Sequence, residues 1–188
     1  MLKYVVVFIL ATFISFSSYM AFYLGAFKSV EIRNQESGPY LMVYLDHMGP
    51  YHKIVSKIEE VEKWSKENQF DCRLSFGEYF DNPDTVEEAR LKSIGGCLIE
   101  LNSSDNSDQL AQQWIQKLKA PMKVKIVPKQ NYVFAEFFGS PGIGPIKVYP
   151  KVEEFIQERK LQRHSSIIEI YEILDRNEKN QMRTQYLF

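Results

Sequence analysis

The stretch IIEIYEIL at residues 167–174 decides the fold of this chain, because its residues alternate in the manner of a β-strand. One face of the predicted strand carries Ile167, Glu169, Tyr171 and Ile173, and the other carries Ile168, Ile170 and Glu172. A carboxylate in an otherwise apolar strand costs free energy unless it is exposed, paired or used for binding. Glu169 is therefore the first candidate for a functional residue.

This strand has a counterpart in the first half of the chain. A shift of about 92 positions aligns FGEYF at 76–80 with IEIYE at 168–172. The same shift aligns LMVYLD at 41–46 with VFAEFF at 133–138. Identity between the halves is low, but the order and spacing of the segments agree at both ends. Such self-similarity indicates a duplicated unit.

Each half also carries a predicted helix between its aligned segments. Apolar residues recur at helical spacing in the helix at 52–68, and the helix at 146–160 has acids early and bases late. Each unit is therefore strand, helix, strand, strand. We expect an α+β fold in which both units share one antiparallel sheet, with the two helices on one face. A concave face or a seam is then left free, and pockets form at such seams.

The N-terminal residues 4–27 contain no charged side chain and are long enough to cross a bilayer as a helix. The alternative is a cleaved signal peptide. Signal peptides have a shorter apolar core than this segment, and the best cleavage site here, at 24–26, is a poor one. Lys3 on one side nearly balances Lys28 and Arg33 on the other, which leaves the membrane side of the domain open. We expect a single-pass membrane protein with an anchor at 1–28, a polar linker at 29–39 and one ligand-binding domain at 40–188.

Composition and short motifs argue against several classes of function. The chain has 23 basic and 24 acidic residues, so no basic surface is available for nucleic acid. His47, His52 and His164 lack the spacing of metal ligands. The segment GSPGIG at 139–144 does not match a phosphate-binding loop, because Pro141 removes a backbone donor and no Gly-Lys-Ser/Thr follows. We therefore expect no metal, no cofactor and no nucleic-acid partner.

Two cysteines, Cys72 and Cys97, lie in separate strand-like runs. Two cysteines do not make a disulfide framework. We expect two half-buried free thiols, with a single bridge as the alternative.

Four short strings occur in a fixed order along the chain. They are HMGPY at 47–51, YFDNP at 79–83, ERKL at 158–161 and IEIY at 168–171. From about Tyr40 to Phe188 the chain resembles the GyrI-like family, also known as the effector-binding domain of AraC-type regulators. With the anchor and the longer string VYPKVEEFIQERKL, the resemblance narrows to the testis-expressed ER-phagy receptor branch of that family. The autophagy motif of that branch lies in a long acidic tail and is not carried over to this chain.

The resemblance implies a fold that binds small molecules. The glutamate of the IEIY string contacts ligands in the family, which carries over to Glu169. Some members are hydrolases in which a tyrosine and a glutamate act together. Tyr51 and Tyr79 lie in the family strings and are therefore the leading aromatic candidates.

The duplication adds partners for Glu169. The 92-residue shift pairs Glu169 with Gly77, and Tyr171 with Tyr79. We predict a ligand site formed by Glu169, Tyr79, Tyr171, Tyr51 and Gly77, with Tyr44 and Tyr132 as further possible wall residues. Desolvation would raise the pKa of the carboxyl group, and an organic cation stacked on tyrosine faces would relieve that cost. The competing interpretation is a solvated glutamate on an open sheet face.

These observations predict a membrane-anchored domain that binds a small cationic or apolar molecule without catalysis. One alternative is a membrane-tethered receptor or adaptor that docks another protein. The other alternative is a small-molecule hydrolase that uses a Tyr–Glu pair, in which the tyrosine positions water and the carboxylate takes its proton.

Overall fold

The computed structural model describes residues 2–70, 72–101, 107–174 and 182–188. Within these ranges the helices are α1 (Leu2–Leu24), α2 (Val55–Glu67), α3 (Ser107–Lys117) and α4 (Gly144–Arg159). The strands are β1 (Val30–Ser37), β2 (Tyr40–Met48), β3 (Leu74–Tyr79), β4 (Lys92–Glu100), β5 (Lys123–Val127), β6 (Gln130–Phe138), β7 (Ile167–Ile173) and β8 (Met182–Leu187). Single 3₁₀ turns occur at Tyr51–Ile54 and Glu88–Arg90.

The strands form one antiparallel sheet in the order β1-β6-β8-β7-β3-β4-β2-β5. The order is symmetric about its centre, because β2-α2-β3-β4 is repeated as β6-α4-β7-β8, and β5 and β1 occupy equivalent edges. The repeats meet where β3 pairs with β7, and there Gly77 lies directly opposite Glu169. The α+β fold with a duplicated strand-helix-strand-strand unit is confirmed.

The strand β1 corrects the predicted linker at 29–39. Val30–Ser37 pairs with β6 along its whole length, and Val30 and Ile32 pack against the apolar cluster under α4. An edge strand needs apolar residues on one face only. The other residues of this segment are mostly polar, and for that reason the sequence predicted a linker. The segment is instead the edge strand that completes the sheet.

The two faces of the sheet are buried in different ways. On one face, α2 and α4 each cover an apolar cluster, to which α2 contributes Val61 and α4 contributes Val148, both fully buried. On the other face, side chains from β2 to β8 bury one another, with Phe76 and Met42 at 0% exposure. Because no helix contributes to this second cluster among the described residues, that face must curve inward. Each fully buried side chain of this size contributes about 1.5–3 kcal/mol.

A glycine brings α2 close to the sheet. A β-carbon at Gly95 would lie 2.9 Å from side-chain atoms of both Ile54 and Ile58. Because such an approach is shorter than side chains allow, α2 can rest this low on β4 only over a glycine. The height of α2 above the sheet in turn sets one wall of the space between the two repeat helices.

The two cysteines form a disulfide, contrary to the preferred interpretation of two free thiols. The Cα atoms of Cys72 and Cys97 are 5.4 Å apart, within the normal range for a bridge. Cys97 lies opposite Ser75 in the pairing of β4 with β3, and Cys72 just precedes β3. The pairing of the consecutive strands β3 and β4 therefore brings together two thiols that are 25 positions apart in sequence.

The helix α1 is exposed along its length and carries no charged side chain after Lys3. The segment Lys3–Leu24 has a mean hydropathy of 2.1, so its length and composition are sufficient to cross a membrane. A signal sequence satisfies the same criteria.

Candidate functional site

A cavity of about 680 Å³ lies between α2 and α4, above the seam where β3 meets β7. Its apolar walls include Ile54, Val55, Ile58, Pro141, Pro145, Ile173 and Met182. Its aromatic and acidic side chains are Tyr51, Tyr79, Tyr149, Tyr171, Glu59, Glu62 and Glu169. The described lining contains three carboxylates, one histidine (His52) and no lysine or arginine, so its charge balance favours a cation over an anion.

Glu169 lies at the floor of this cavity with 4% of its surface exposed. Tyr149 donates a hydrogen bond to Oε1 over 2.5 Å, and Tyr171 donates one to Oε2 over 2.9 Å. Both carboxylate oxygens are therefore held by neutral hydroxyl groups. The two donors come from different elements, since Tyr149 lies on α4 and Tyr171 on β7.

A third tyrosine extends this hydrogen-bonded group. The hydroxyl oxygens of Tyr79 and Tyr171 are 3.0 Å apart, and these two residues are 92 positions apart in sequence. Because the single proton of Tyr171 is directed to Glu169, Tyr79 donates to Tyr171. The chain of donors runs from Tyr79 through Tyr171 to Glu169, and it crosses the seam between the repeats.

Burial dominates the electrostatics of the site. It raises the pKa of Glu169 above its ordinary value of 4.5, while the hydrogen bonds from Tyr149 and Tyr171 act in the opposite direction. Burial, and then the charge of Glu169, raises the pKa of Tyr149, Tyr171 and Tyr79. All three tyrosines are therefore neutral donors at neutral pH. Within the described part of the chain, no lysine or arginine pairs with Glu169.

A second buried carboxylate, that of Glu78, differs from Glu169 in having a positively charged partner. Glu78 on β3 has 5% of its surface exposed and faces away from the cavity. It forms an ion pair with Lys125 and accepts a hydrogen bond of 2.8 Å from the hydroxyl of Ser166. The fold thus supplies a cation to Glu78, whereas Glu169 has hydroxyl partners alone among the described residues.

Tyr51 stands at the wall of the cavity and joins two of the four sequence strings. Its hydroxyl donates to the carbonyl oxygen of Asp81 over 2.7 Å and accepts from the Asp81 amide over 2.9 Å. Its ring packs edge-on against Tyr79 with centroids 4.8 Å apart. The HMGPY and YFDNP strings therefore meet in space, and together they fix the aromatic wall.

Gly77 lies under the cavity rather than in its lining. A β-carbon at this position would come within 2.7 Å of the hydroxyl oxygen of Tyr79. The predicted gap at Gly77 is thus filled by the ring of Tyr79, which leans over the glycine toward Tyr171.

Four of the predicted site residues line one cavity, and the fifth, Gly77, supports it. Tyr44 and Tyr132 do not reach the cavity, because they pack in the cluster on the opposite face of the sheet. The sequence analysis missed Tyr149, although it lies in the string VYPKVEEFIQERKL. The 92-residue shift aligns Tyr149 with Lys57, so the repeat gave no signal for it.

Comparisons with known proteins agree with the fold. No protein-family model and no curated protein sequence matches the chain. The crystal structure of the EcmrR C-terminal domain is 11% identical, with a TM-score of 0.60, and the match covers 85% of this chain and 96% of that one. The EcmrR chain of a DNA complex is 10% identical with a TM-score of 0.58, covering 96% of this chain and 66% of that one. SAV2435, bound to tetraphenylphosphonium, is 12% identical over 84% of this chain and 92% of that one, with a TM-score of 0.46.

At these identities the likeness concerns the fold alone. The chain shares the fold of the EcmrR C-terminal domain, and this supports the fold that the GyrI-like resemblance of the four strings implied. The narrower resemblance to the ER-phagy receptor branch rests on the strings and stays a prediction.

Proposed function

We propose that this protein is a membrane-anchored, non-enzymatic domain that binds a lipophilic organic cation, or a flat apolar molecule, in the cavity between α2 and α4. The observation that carries the proposal is Glu169, a buried carboxylate with two tyrosine donors and no lysine or arginine partner among the described residues. Membership of the ER-phagy receptor branch, supported by the four strings and the apolar α1, would add a protein partner.

The energetics favour a cationic ligand. A buried carboxylate without a counter-ion costs several kcal/mol, and a cation placed beside it recovers part of that cost. Tyrosine faces add about 0.5–2 kcal/mol of cation–π attraction for each ring in contact. A cavity of about 680 Å³ is of the size that holds one drug-sized molecule.

The geometry favours binding over hydrolysis. A catalytic carboxylate must reach a water molecule, and the bonds from Tyr149 and Tyr171 leave each oxygen of Glu169 with only one lone pair for it. Tyr79 reaches Glu169 only through Tyr171. The raised pKa of Tyr79 and Tyr171 also keeps both hydroxyl groups protonated at neutral pH, so neither can take a proton from water. A turnover of ester, epoxide or cyclopropanoid compounds that depends on Tyr79 and Glu169 would establish the hydrolase instead.

The proposal is tested with two probes of matched shape and opposite charge, tetraphenylphosphonium and tetraphenylborate. We expect the phosphonium to raise the Tm of the full chain in detergent, and the borate to leave it unchanged. Glu169→Gln keeps the shape of the side chain and removes its charge, so it should weaken phosphonium binding by roughly 1–3 kcal/mol in calorimetry.

The control for this substitution is Glu60→Gln, which removes an exposed carboxylate outside the cavity and should leave binding unchanged. The proposal fails if neither probe stabilises the chain, or if both bind equally well to the wild type and to Glu169→Gln. Specific capture of another protein with an unliganded cavity would support the adaptor alternative.

A further inference from the structure

The end of α1 is attached to the loop that lines the cavity. The amide of Ser140 donates to the carbonyl oxygen of Leu24 over 3.0 Å. The ammonium group of Lys147 donates to the carbonyl oxygen of Ala26 over 2.5 Å and also to that of Lys28. The Ser140 contact satisfies a carbonyl group that the end of a helix leaves without a partner, and the Lys147 contacts hold the residues just beyond it. They also fix the segment between β6 and α4 beside the end of α1.

One end of the cavity lies at the same end of the sheet. The C-terminal ends of β6 and β7 meet the start of β8 there, since Phe138 lies opposite Arg183 and Ile173 lies opposite Met182. Ile173 and Met182 line the cavity, together with Gly142 from the segment attached to α1. This end of the cavity therefore lies next to the point where the apolar helix leaves the domain.

Several exposed apolar side chains lie at this end. Phe27 and Ile146 are 76% and 74% exposed. They directly precede, in sequence, Lys28 and Lys147, the two residues joined by a hydrogen bond. Ile173 and Leu174, at 53% and 49%, extend the apolar surface to the cavity, which Ile173 also lines. Apolar residues placed just beyond a membrane-crossing helix are suited to the interface between headgroups and acyl chains.

We propose that this surface, formed by Phe27, Ile146, Ile173 and Leu174, rests on the bilayer and that the cavity takes its ligand from the membrane. The inference rests on the proposed function and narrows the ligand class to cations that partition into lipid. The partner is the bilayer surface because the attachment of α1 holds this end of the sheet, and not the other, at the membrane.

The contact is measured with a fluorophore at Ile146→Cys in the full chain, reconstituted into phosphatidylcholine vesicles that contain lipids with a shallow nitroxide. The matched control is Met48→Cys, since Met48 is 66% exposed and lies at the opposite end of the sheet. Both described native cysteines are in the disulfide, so the introduced thiol is labelled selectively. We expect quenching at Ile146 to exceed that at Met48 by at least about threefold. Equal quenching at the two positions overturns the proposal.

Ligand entry is measured with Ile146→Glu and its control, Met48→Glu. Neither residue lines the cavity, so both variants should bind tetraphenylphosphonium like the wild type in detergent. In vesicles, Ile146→Glu should load the probe at least about threefold more slowly, because the charge lifts this end of the cavity from the bilayer, and Met48→Glu should not. Equal loading by the two variants also counts against the proposal.

The two proposals fail in different ways. Absence of phosphonium binding in detergent rejects the proposed function and, with it, the membrane as a source of ligand. Normal binding in detergent, together with equal quenching at Ile146 and Met48, rejects the membrane-facing surface alone.

Discussion

The carboxyl group of Glu169 gives the folded chain a pH dependence of known sign. Burial raises its pKa in the folded state, so the folded chain holds this proton more tightly than the unfolded chain does. The resulting stability is fully present below the ordinary pKa of 4.5 and is lost as the pH rises through the raised value. Glu169→Gln does not titrate. Its free energy of unfolding, relative to the wild type, should therefore increase with pH by roughly 1.4 kcal/mol per unit of pKa shift.

Urea denaturation of both forms, from about pH 4 to about pH 8, checks this prediction. Glu60→Gln is the control, because Glu60 is exposed and its ion pair with Lys57 lies on the surface. A difference between the wild type and Glu169→Gln that stays constant across this range would show that the carboxyl group is not desolvated.

Tyr149 is the second residue whose contribution to the site can be measured separately, through its hydroxyl group. Tyr149→Phe removes the donor to Oε1 of Glu169 and leaves the ring in place. The ionised form of Glu169 then loses one stabilising hydrogen bond, so its pKa should rise further, and the variant should bind tetraphenylphosphonium more weakly at neutral pH. Carbon-detected NMR titration of the Glu169 carboxyl group measures the shift.

Tyr51→Phe is the matched control for this change. The Tyr51 hydroxyl bonds to the backbone of Asp81 and not to Glu169, so its loss should cost about 1 kcal/mol of stability and leave the Glu169 pKa unaltered. Identical titration curves for Tyr149→Phe and the wild type would mean that the observed bond does not stabilise the carboxylate.

At the scale of elements, β1 determines where the domain begins. It covers the edge of β6, and an uncovered apolar edge strand is a site of aggregation. A chain starting at residue 28 should be soluble and monomeric, whereas one starting at residue 40 should be less stable and should self-associate. Size-exclusion chromatography and urea denaturation of the two fragments test this, and equal behaviour would restore the boundary predicted at Tyr40.

The elements also show which signals sequence analysis can use. The repeat helices and the strands around Glu169 were predictable, because their apolar residues recur with the period of the structure. β1 was not, because an edge strand with one half-buried face has few apolar residues to reveal its period. Tyr149 was missed because α4 supplies it from above the sheet, and the distance between a helix residue and a strand residue depends on packing.

At the scale of the whole molecule, the duplicated chain carries an asymmetric site. Symmetry places position 77 against position 169, and two glutamates there would repel each other in a buried setting. Glycine at position 77 removes that repulsion and makes room for Tyr79. The repeat predicted this pairing from the sequence. It did not predict that the second repeat would supply the carboxylate of Glu169 and that the first would supply the room above Gly77 for the ring of Tyr79.

The bond between Cys72 and Cys97 bears on which side of the membrane the sheet occupies, a question that the flanking lysines left open. Structural disulfides persist in the secretory lumen, the periplasm and the extracellular space, and glutathione keeps thiols reduced in the cytosol. The sheet should therefore be exported, with the start of α1 on the cytosolic side. Maleimide labelling of denatured protein from intact cells checks this, since only an exported domain would keep both thiols blocked until a reductant is added.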